Sequence, residues 1–402
     1  MRNLNKFIFI IFLFGYGQSL AATTPVDCTS SSTVQAALGS ANDGDTVQCN
    51  ATGTYSWGTL DLPSNKNFTL DGNGSTITSG TINIYSTASF YPRITNFIFR
   101  SDGIIDTKTP GITNNPWRID HCTFNAAGTS LNAMVQTHYE PGLIDNCDFI
   151  NIPTAKETIH NMGWNPGVTT GWTNDHTPGS PNALYIEDCT ASGSQGNSSN
   201  LIQNYYGARV VVRFNTLNAA MVDAHGNHTA YSARWWEIYG NALSGSTYLC
   251  MRGGSGLIFN NTGSGTALFI NETANNLYGI GDGKNTALYP AYIWDNGSLS
   301  YAYNVDGCSV HLGTVDVGTD ISTPDSGTTL PGSCDENDSY WITNEGGNWN
   351  TTNASANDGM LYKCTSTDNW TEYYTPYIYP HPLREAAVVV VPANAIQGVT
   401  IN

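Results

Sequence analysis

Windows of alternating apolar and polar residues recur along this chain, and most of them close on an asparagine or a cysteine. Examples are Trp117-Arg-Ile-Asp-His-Cys122, Val210-Val-Val-Arg-Phe-Asn215, Trp236-Glu-Ile-Tyr-Gly-Asn241 and Gly256-Leu-Ile-Phe-Asn-Asn261. Taking Asn73, Phe97, Cys122, Cys147, Cys189, Asn215, Asn241, Asn261 and Asn296 as one recurring position gives separations of 24, 25, 25, 42, 26, 26, 20 and 35 residues. Repeats of roughly 20–50 residues built on short strands mark a solenoid. The two-residue alternation points one set of side chains inward and the other outward. The pattern predicts roughly ten coils of an all-β parallel β-helix, with equivalent residues stacked about 4.8 Å apart. Such stacking gathers residues distant in sequence into rows on one face.

One helix breaks the β pattern, at 32–41, opening with a capping box Ser32-x-x-Gln35. It predicts a helical cap over the first coil. Cys28 and Cys49 flank it and are expected to bridge, as are Cys334 and Cys364 nearer the C-terminus. Cys122, Cys147 and Cys189 share the ladder position, so their side chains run parallel into the interior. That suits a buried thiol stack and makes poor disulfide geometry.

Three regions follow. Residues 1–22 read as an export signal, with Arg2 and Lys6, an apolar run and Ser19-Leu-Ala-Ala22. The solenoid occupies 23–303, and 304–402 form an aromatic-rich C-terminal unit. Insertions fall at 161–180, which contains Trp164 and Trp172, and at about 271–286. An apolar segment, 386–391, is a candidate strand closing the open end of the solenoid.

Composition narrows the partners. Only 12% of residues are charged, while 41 are Gly and 45 are aromatic, which suits an all-β exported protein. The chain carries a net −17, and −19 without Arg2 and Lys6 (13 basic against 32 acidic residues). Nucleic acid is a poor partner for such a surface, since phosphate binding needs clustered Lys and Arg. No later segment is apolar enough for a membrane span.

The ladder, with the Asp-Gly turn chemistry of Asn42-Asp-Gly-Asp-Thr46, resembles the right-handed parallel β-helix proteins of the pectate-lyase-like superfamily over about residues 25–300. That resemblance implies a right-handed solenoid and a polysaccharide partner. It does not choose among lyases, hydrolases, epimerases and adhesins. Family lyases place a basic residue at the reacting carbon, but Lys66, Lys108, Lys156, Lys284 and Lys363 fall outside the strand row described next. The Ala224-His-Gly226 triplet is similar to the Gly-His-Gly of polygalacturonases, without the Asp pair and Arg-Ile-Lys that accompany it there.

A second strand recurs in each coil: Met134-Val-Gln-Thr-His138, Leu201-Ile-Gln-Asn-Tyr205, Met221-Val-Asp-Ala-His225 and Tyr248-Leu-Cys-Met-Arg252. Glu157-Thr-Ile-His160 is fitted to the skipped coil. The alignment predicts an outward row His138, His160, Tyr205, His225 and Arg252. Uronate β-elimination must neutralise a carboxylate, remove the adjacent proton and protonate the leaving oxygen. Arg252 suits the first task. His225 and Tyr205 are candidates for base and acid, in either order. Asp223 would orient His225 or hold a cation. His138, His160, Trp164, Trp172, Arg209 and Arg234 are candidate substrate contacts, although aromatics more often serve packing.

Asp120, Asp145 and Glu187 each precede the ladder by two and should stack outward, where like charges would invite Ca²⁺ or simply bond to nearby amides. They are also the candidate source of the paired carboxylates a glycoside hydrolase needs. A non-catalytic glycan-binding or adhesive solenoid is the third reading.

Overall fold

The computed structural model describes residues 21–85, 90–108, 116–130, 133–138, 141–163, 177–194, 198–226, 232–263, 267–270, 290–303, 320–350 and 357–385. Most of the 161–180 insertion, with Trp164 and Trp172, lies outside these residues. So do 1–20, the insertion at 271–286 and the segment 386–391.

The chain coils into a parallel β-solenoid with three sheet faces. Sheet I includes Arg118–Asp120, Gly142–Asp145, Leu184–Glu187, Arg209–Arg213, Trp235–Tyr239, Ser255–Phe259 and Ala291–Trp294, each pairing in parallel with its neighbour. Ile321–Ser322 adds a further rung beyond residue 303. Sheet II includes Thr123–Asn125, Asp148–Ile152, Thr190–Gly193, Thr216–Asn218 and Ala242–Ser244. Sheet III includes Val135–His138, Lys156–Met162, Ser199–Tyr205, Met221–Ala224, Tyr248–Met251 and Ala267–Ile270.

The ladder turns the corner between sheets I and II. Cys122, Cys147, Cys189, Asn215, Asn241, Asn261 and Asn296 are all buried. Each Asn side chain joins backbones of neighbouring coils and the next ladder side chain. Asn241 Oδ1 accepts from Asn215 N at 3.0 Å, while its Nδ2 donates to Val212 O at 2.9 Å and to Asn261 Oδ1 at 2.9 Å. The three cysteines are free thiols, Cys147 N donates to Cys189 Sγ at 3.4 Å, and burial pushes the Cys147 thiol well up. The residue before the ladder takes a left-handed conformation at Asn96, His121, Asn146, Asp188, Phe214, Gly240, Asn260 and Asp295. Asn, Asp and Gly dominate this position because they adopt positive φ at least cost.

Asn73 is not a ladder residue. It is exposed with φ 48, and Ser75, its side chain buried, pairs with Phe97 instead. Two extra residues between Asp71 and Ser75, where Asn73 and Gly74 are both left-handed, shift that coil by two.

Inside, Phe99, Phe124 and Phe149 stack at 5.1 and 5.0 Å beneath sheet II. A second polar ladder lies under sheet III, where Thr137 donates to Asn161 at 2.6 Å and Asn161 to Asn204 at 2.8 Å.

The N-terminal helix, α1 (Ser31–Ser40), covers the first coil with Val34 and Leu38 buried. The capping box does not form. Ser30 caps the helix, and Gln35 instead clamps the strand at Asp61, donating to Asp61 O at 2.6 Å and accepting from Asp61 N at 2.8 Å. The Cys28–Cys49 and Cys334–Cys364 disulfides are both present.

The C-terminal unit lies along the flank of sheet I. Its four strands, Asp325–Gly327, Ser339–Ile342, Met360–Ser366 and Asn369–Tyr374, form a small sheet. Trp341, Trp349, Leu361 and Tyr374 build a second core with Tyr185, Trp235, Tyr239, Phe259 and Trp294 of the solenoid. Among the described residues, no helix is long and apolar enough to cross a membrane.

Candidate functional site

Sheet III ends its strands on a run of polar and aromatic residues. Parallel register sets His138 against Met162, and Met162 against Tyr205. His160 falls two residues earlier, in register with Gln136 and Gln203 rather than with His138 and Tyr205. The expected row is therefore shifted at this rung, because Lys156–Met162 runs two residues past His160 before the strand ends. His160 still joins the cluster, since alternate residues share a face, and its ring stacks on Tyr205 at 4.8 Å.

The ladder continues through the turn residues. His225 N donates to Asn204 O at 3.0 Å and Arg252 N to Ala224 O at 2.9 Å. These bonds draw Tyr205, His225 and Arg252 onto successive rungs. The rings of Tyr205 and His225 lie 4.2 Å apart. His225 Nδ1 is 3.1 Å from Asp223 Oδ2. Arg252 Nε donates to Asp223 Oδ1 at 2.9 Å, and Arg252 Nη2 contacts both Asp223 Oδ2 and His225 Nδ1. The Asp223 side chain is fully buried, while His225 is 23% exposed.

Electrostatics then assign roles. Burial opposes the charge on Asp223, but the Arg252 guanidinium and the His225 bond overcome it and hold the carboxyl down to about 2. Both partners of the His225 ring meet Nδ1, so Nε2 is its outward nitrogen. In the tautomer that gives Nδ1–H to Asp223, Nε2 carries a lone pair and can take a proton; in the other, Nδ1 accepts from Arg252 Nη2. Burial pushes the Tyr205 phenol upward, as do the charges of Glu157 and Asp223, against the pull of Arg252. The Tyr205 phenol is thereby held neutral, as a hydrogen-bond donor. Its hydroxyl donates to Gln203 Oε1 at 2.5 Å.

Arg252 departs from expectation. Its side chain is 7% exposed and is bound to Asp223, so it is not a free fork for a substrate carboxylate. His138 stands farther along the face, with Nε2 3.3 Å from Asp106. Lys108 is in register with His138, and so belongs to the row from which sequence spacing had excluded it. Arg209 opens the sheet I strand Arg209–Arg213, and Arg234 is buried just before Trp235–Tyr239. Both lie at the corner between sheets III and I, not on the face that carries His225. Two concavities occur elsewhere: one of about 450 Å³ lined by Gln48, Asp71, Asn96 and His121, the other of about 200 Å³ between Phe259, Trp294, Trp341 and Trp349. Tyr205 and His225 are themselves partly exposed.

The acidic row stacks as its register requires, Asp120 against Asp145 and Asp145 against Glu187, but it is neither exposed nor free for a cation. Arg93 grips Asp120 at 2.6 Å, Arg118 bridges Asp120 and Asp145 at 2.8 Å each, and Arg213 binds Glu187 at 2.6 Å. Residues 373–385 of the C-terminal unit cross above. Arg384 reaches Glu187 at 2.7 Å, Tyr379 donates to Asp188 at 2.6 Å, and Arg213 donates to Tyr377 O at 2.6 Å. Guanidinium groups occupy the places a cation would take. Asp223 is likewise held by Arg252. No group of three or more His, Cys, Asp and Glu among the described residues is arranged to hold a metal ion, Ca²⁺ included.

Sequence reasoning named Asp223 but passed over Glu157 and Gln203. Glu157 binds His160 Nδ1 at 2.8 Å, so Tyr205 lies between two histidines, each held by a carboxylate of its own strand. The signal was the short spacing, three residues in Glu157–His160 and two in Asp223–His225. The aromatic residues Trp235 and 373–379 serve packing: Trp235 is buried and donates to Glu237 at 3.0 Å, and Tyr374 donates to the same carboxylate at 2.6 Å. No protein-family model, no curated protein and no solved structure matches this chain.

Proposed function

We propose that this protein is an exported polysaccharide-degrading enzyme of the pectate-lyase-like superfamily that cleaves a uronate-containing glycan by β-elimination. The observation that carries the proposal is the contact of Tyr205 with His225, a neutral phenol and a carboxylate-held imidazole on one exposed face. His225 Nε2 removes the proton on C5. The C–H electrons become the C4–C5 double bond, the C4–O bond breaks, and the departing oxygen takes the phenolic proton of Tyr205. The ionised Asp223 stabilises the imidazolium that forms. Arg252 holds Asp223 in place and lends its charge to the edge of the site.

Hydrolysis needs two carboxylates flanking the scissile bond. Asp223 is buried under Arg252 and the Asp120–Asp145–Glu187 row is covered, which favours elimination over hydrolysis. Export is supported by the Cys28–Cys49 and Cys334–Cys364 bridges, which persist in oxidising compartments. One observation favours a second reading: Arg252 is already paired with Asp223, as suits a glycan-binding surface without catalysis.

Incubation with pectic, alginate and glycosaminoglycan substrates, with and without Ca²⁺, separates the two. A rise in the ultraviolet absorbance of unsaturated product, lost in His225→Ala, supports the enzyme. Silence across the panel with measurable glycan binding supports the binding surface.

A further inference from the structure

A second polar pair stands beside Tyr205 on sheet III. Glu157 uses one oxygen, Oε1, for His160 at 2.8 Å. Its other oxygen, Oε2, is buried and meets no protein donor, and the side chain is only 10% exposed. Asn200 is the register partner of Glu157 on the next strand. It is 6% exposed, and its Oδ1 is also buried without a donor. Adjacent rungs stand about 4.8 Å apart. Two orphaned acceptors are thus neighbours, although folded proteins seldom leave buried acceptors unanswered.

We infer that Glu157 and Asn200 form a subsite for two neighbouring hydroxyl groups of one sugar ring, next to the bond handled by Tyr205 and His225. This rests on reading the face as a polysaccharide site. A sugar diol supplies two hydroxyl donors, one for each acceptor. A divalent cation would need more anionic ligands than the one carboxylate present here. Glu157 reaches the Tyr205 ring through His160, which it bonds at 2.8 Å and which stacks on Tyr205 at 4.8 Å, so a ring held here lies along the same strand face as the proton donor. The chemistry recognised is a vicinal diol, and Glu157 and Asn200 are specificity-determining residues rather than catalytic ones.

The test is calorimetric titration with trigalacturonate, its 2,3-di-O-methyl counterpart and neutral galactotriose, using folded wild type, Asn200→Ala, Asn200→Asp, Glu157→Gln and His225→Ala. The expected result is binding weakened about tenfold in Asn200→Ala and retained within about threefold in Asn200→Asp, which keeps an acceptor. The methylated probe binds wild type and Asn200→Ala equally weakly. His225→Ala binds normally and cleaves nothing. Diol-dependent binding of galactotriose without cleavage of any uronate sinks the elimination reading and leaves the subsite standing. Wild-type binding that ignores methylation, unchanged affinity in both Asn200→Ala and Glu157→Gln, or no binding of any probe, overturns the subsite.

Discussion

Tyr205 and His225 lie ring to ring at 4.2 Å, although they belong to different coils. The backbone bond from His225 N to Asn204 O sets this distance. A phenol and an imidazole are thereby fixed side by side on a rigid scaffold, the arrangement that the proposed acid–base catalysis requires.

Removing either partner should abolish turnover and spare the fold. His225→Ala and Tyr205→Phe are expected to lower kcat by about 10²–10⁴-fold. Both side chains are partly exposed, so the thermal midpoint should move little. Steady-state kinetics beside circular dichroism checks this.

Arg252 tests whether structure and catalysis separate. Arg252→Met leaves Asp223 buried without its guanidinium partner, which should cost about 3–5 kcal/mol. The double variant Arg252→Met, Asp223→Leu should recover most of that stability and none of the activity. Urea denaturation of the three proteins decides.

The inner ladder should be as sensitive as a hydrophobic core. Asn241→Ala removes the acceptor for Asn215 N and the donor to Val212 O, leaving buried groups unsatisfied. A loss of about 3 kcal/mol or more is expected, because each orphaned group costs about 1–3 kcal/mol.

The C-terminal strap predicts acid sensitivity. Burial, then the charges of Arg213, Arg384 and Arg118, push the His381 imidazole down to about 3, and its Nδ1 accepts from Leu383 N at 3.1 Å. The unfolded chain binds this proton below about 6.5, the folded chain only near 3. The contribution of His381 is therefore full above about pH 6.5 and drains as pH falls toward 3. His381→Asn, which keeps an acceptor and does not titrate, should melt lower at neutral pH and show a flatter slope below it. Thermal melts across pH 3–8 measure the slope.

The solenoid was legible because Cys189, Asn215 and Asn241 repeat every 26 residues and their burial forces one side chain per coil inward. Disulfides and helix were legible from local chemistry, although Gln35 found a better partner in Asp61 than in its own helix cap. The site was legible in part. Tyr205, His225 and Arg252 each close a five-residue strand window of the same pattern, so they aligned on successive rungs. His160 slipped by two residues because its strand is longer, and Lys108 was missed because its strand runs without a break from Pro92. Alternation correctly sent Asp120, Asp145 and Glu187 outward from the barrel. It could not say that Arg384, far along the chain, would come back to cover them. Nor could it see that Asp223 would claim Arg252, since that pairing depends on three-dimensional register.

The most direct test of the central claim is mass spectrometry of the products released from a uronate polymer. β-Elimination by Tyr205 and His225 predicts that the new non-reducing ends are unsaturated, each one water lighter than a hydrolytic end, and that they vanish in His225→Ala. Fully hydrated ends, or unsaturated ends that persist in His225→Ala and Tyr205→Phe, would contradict it.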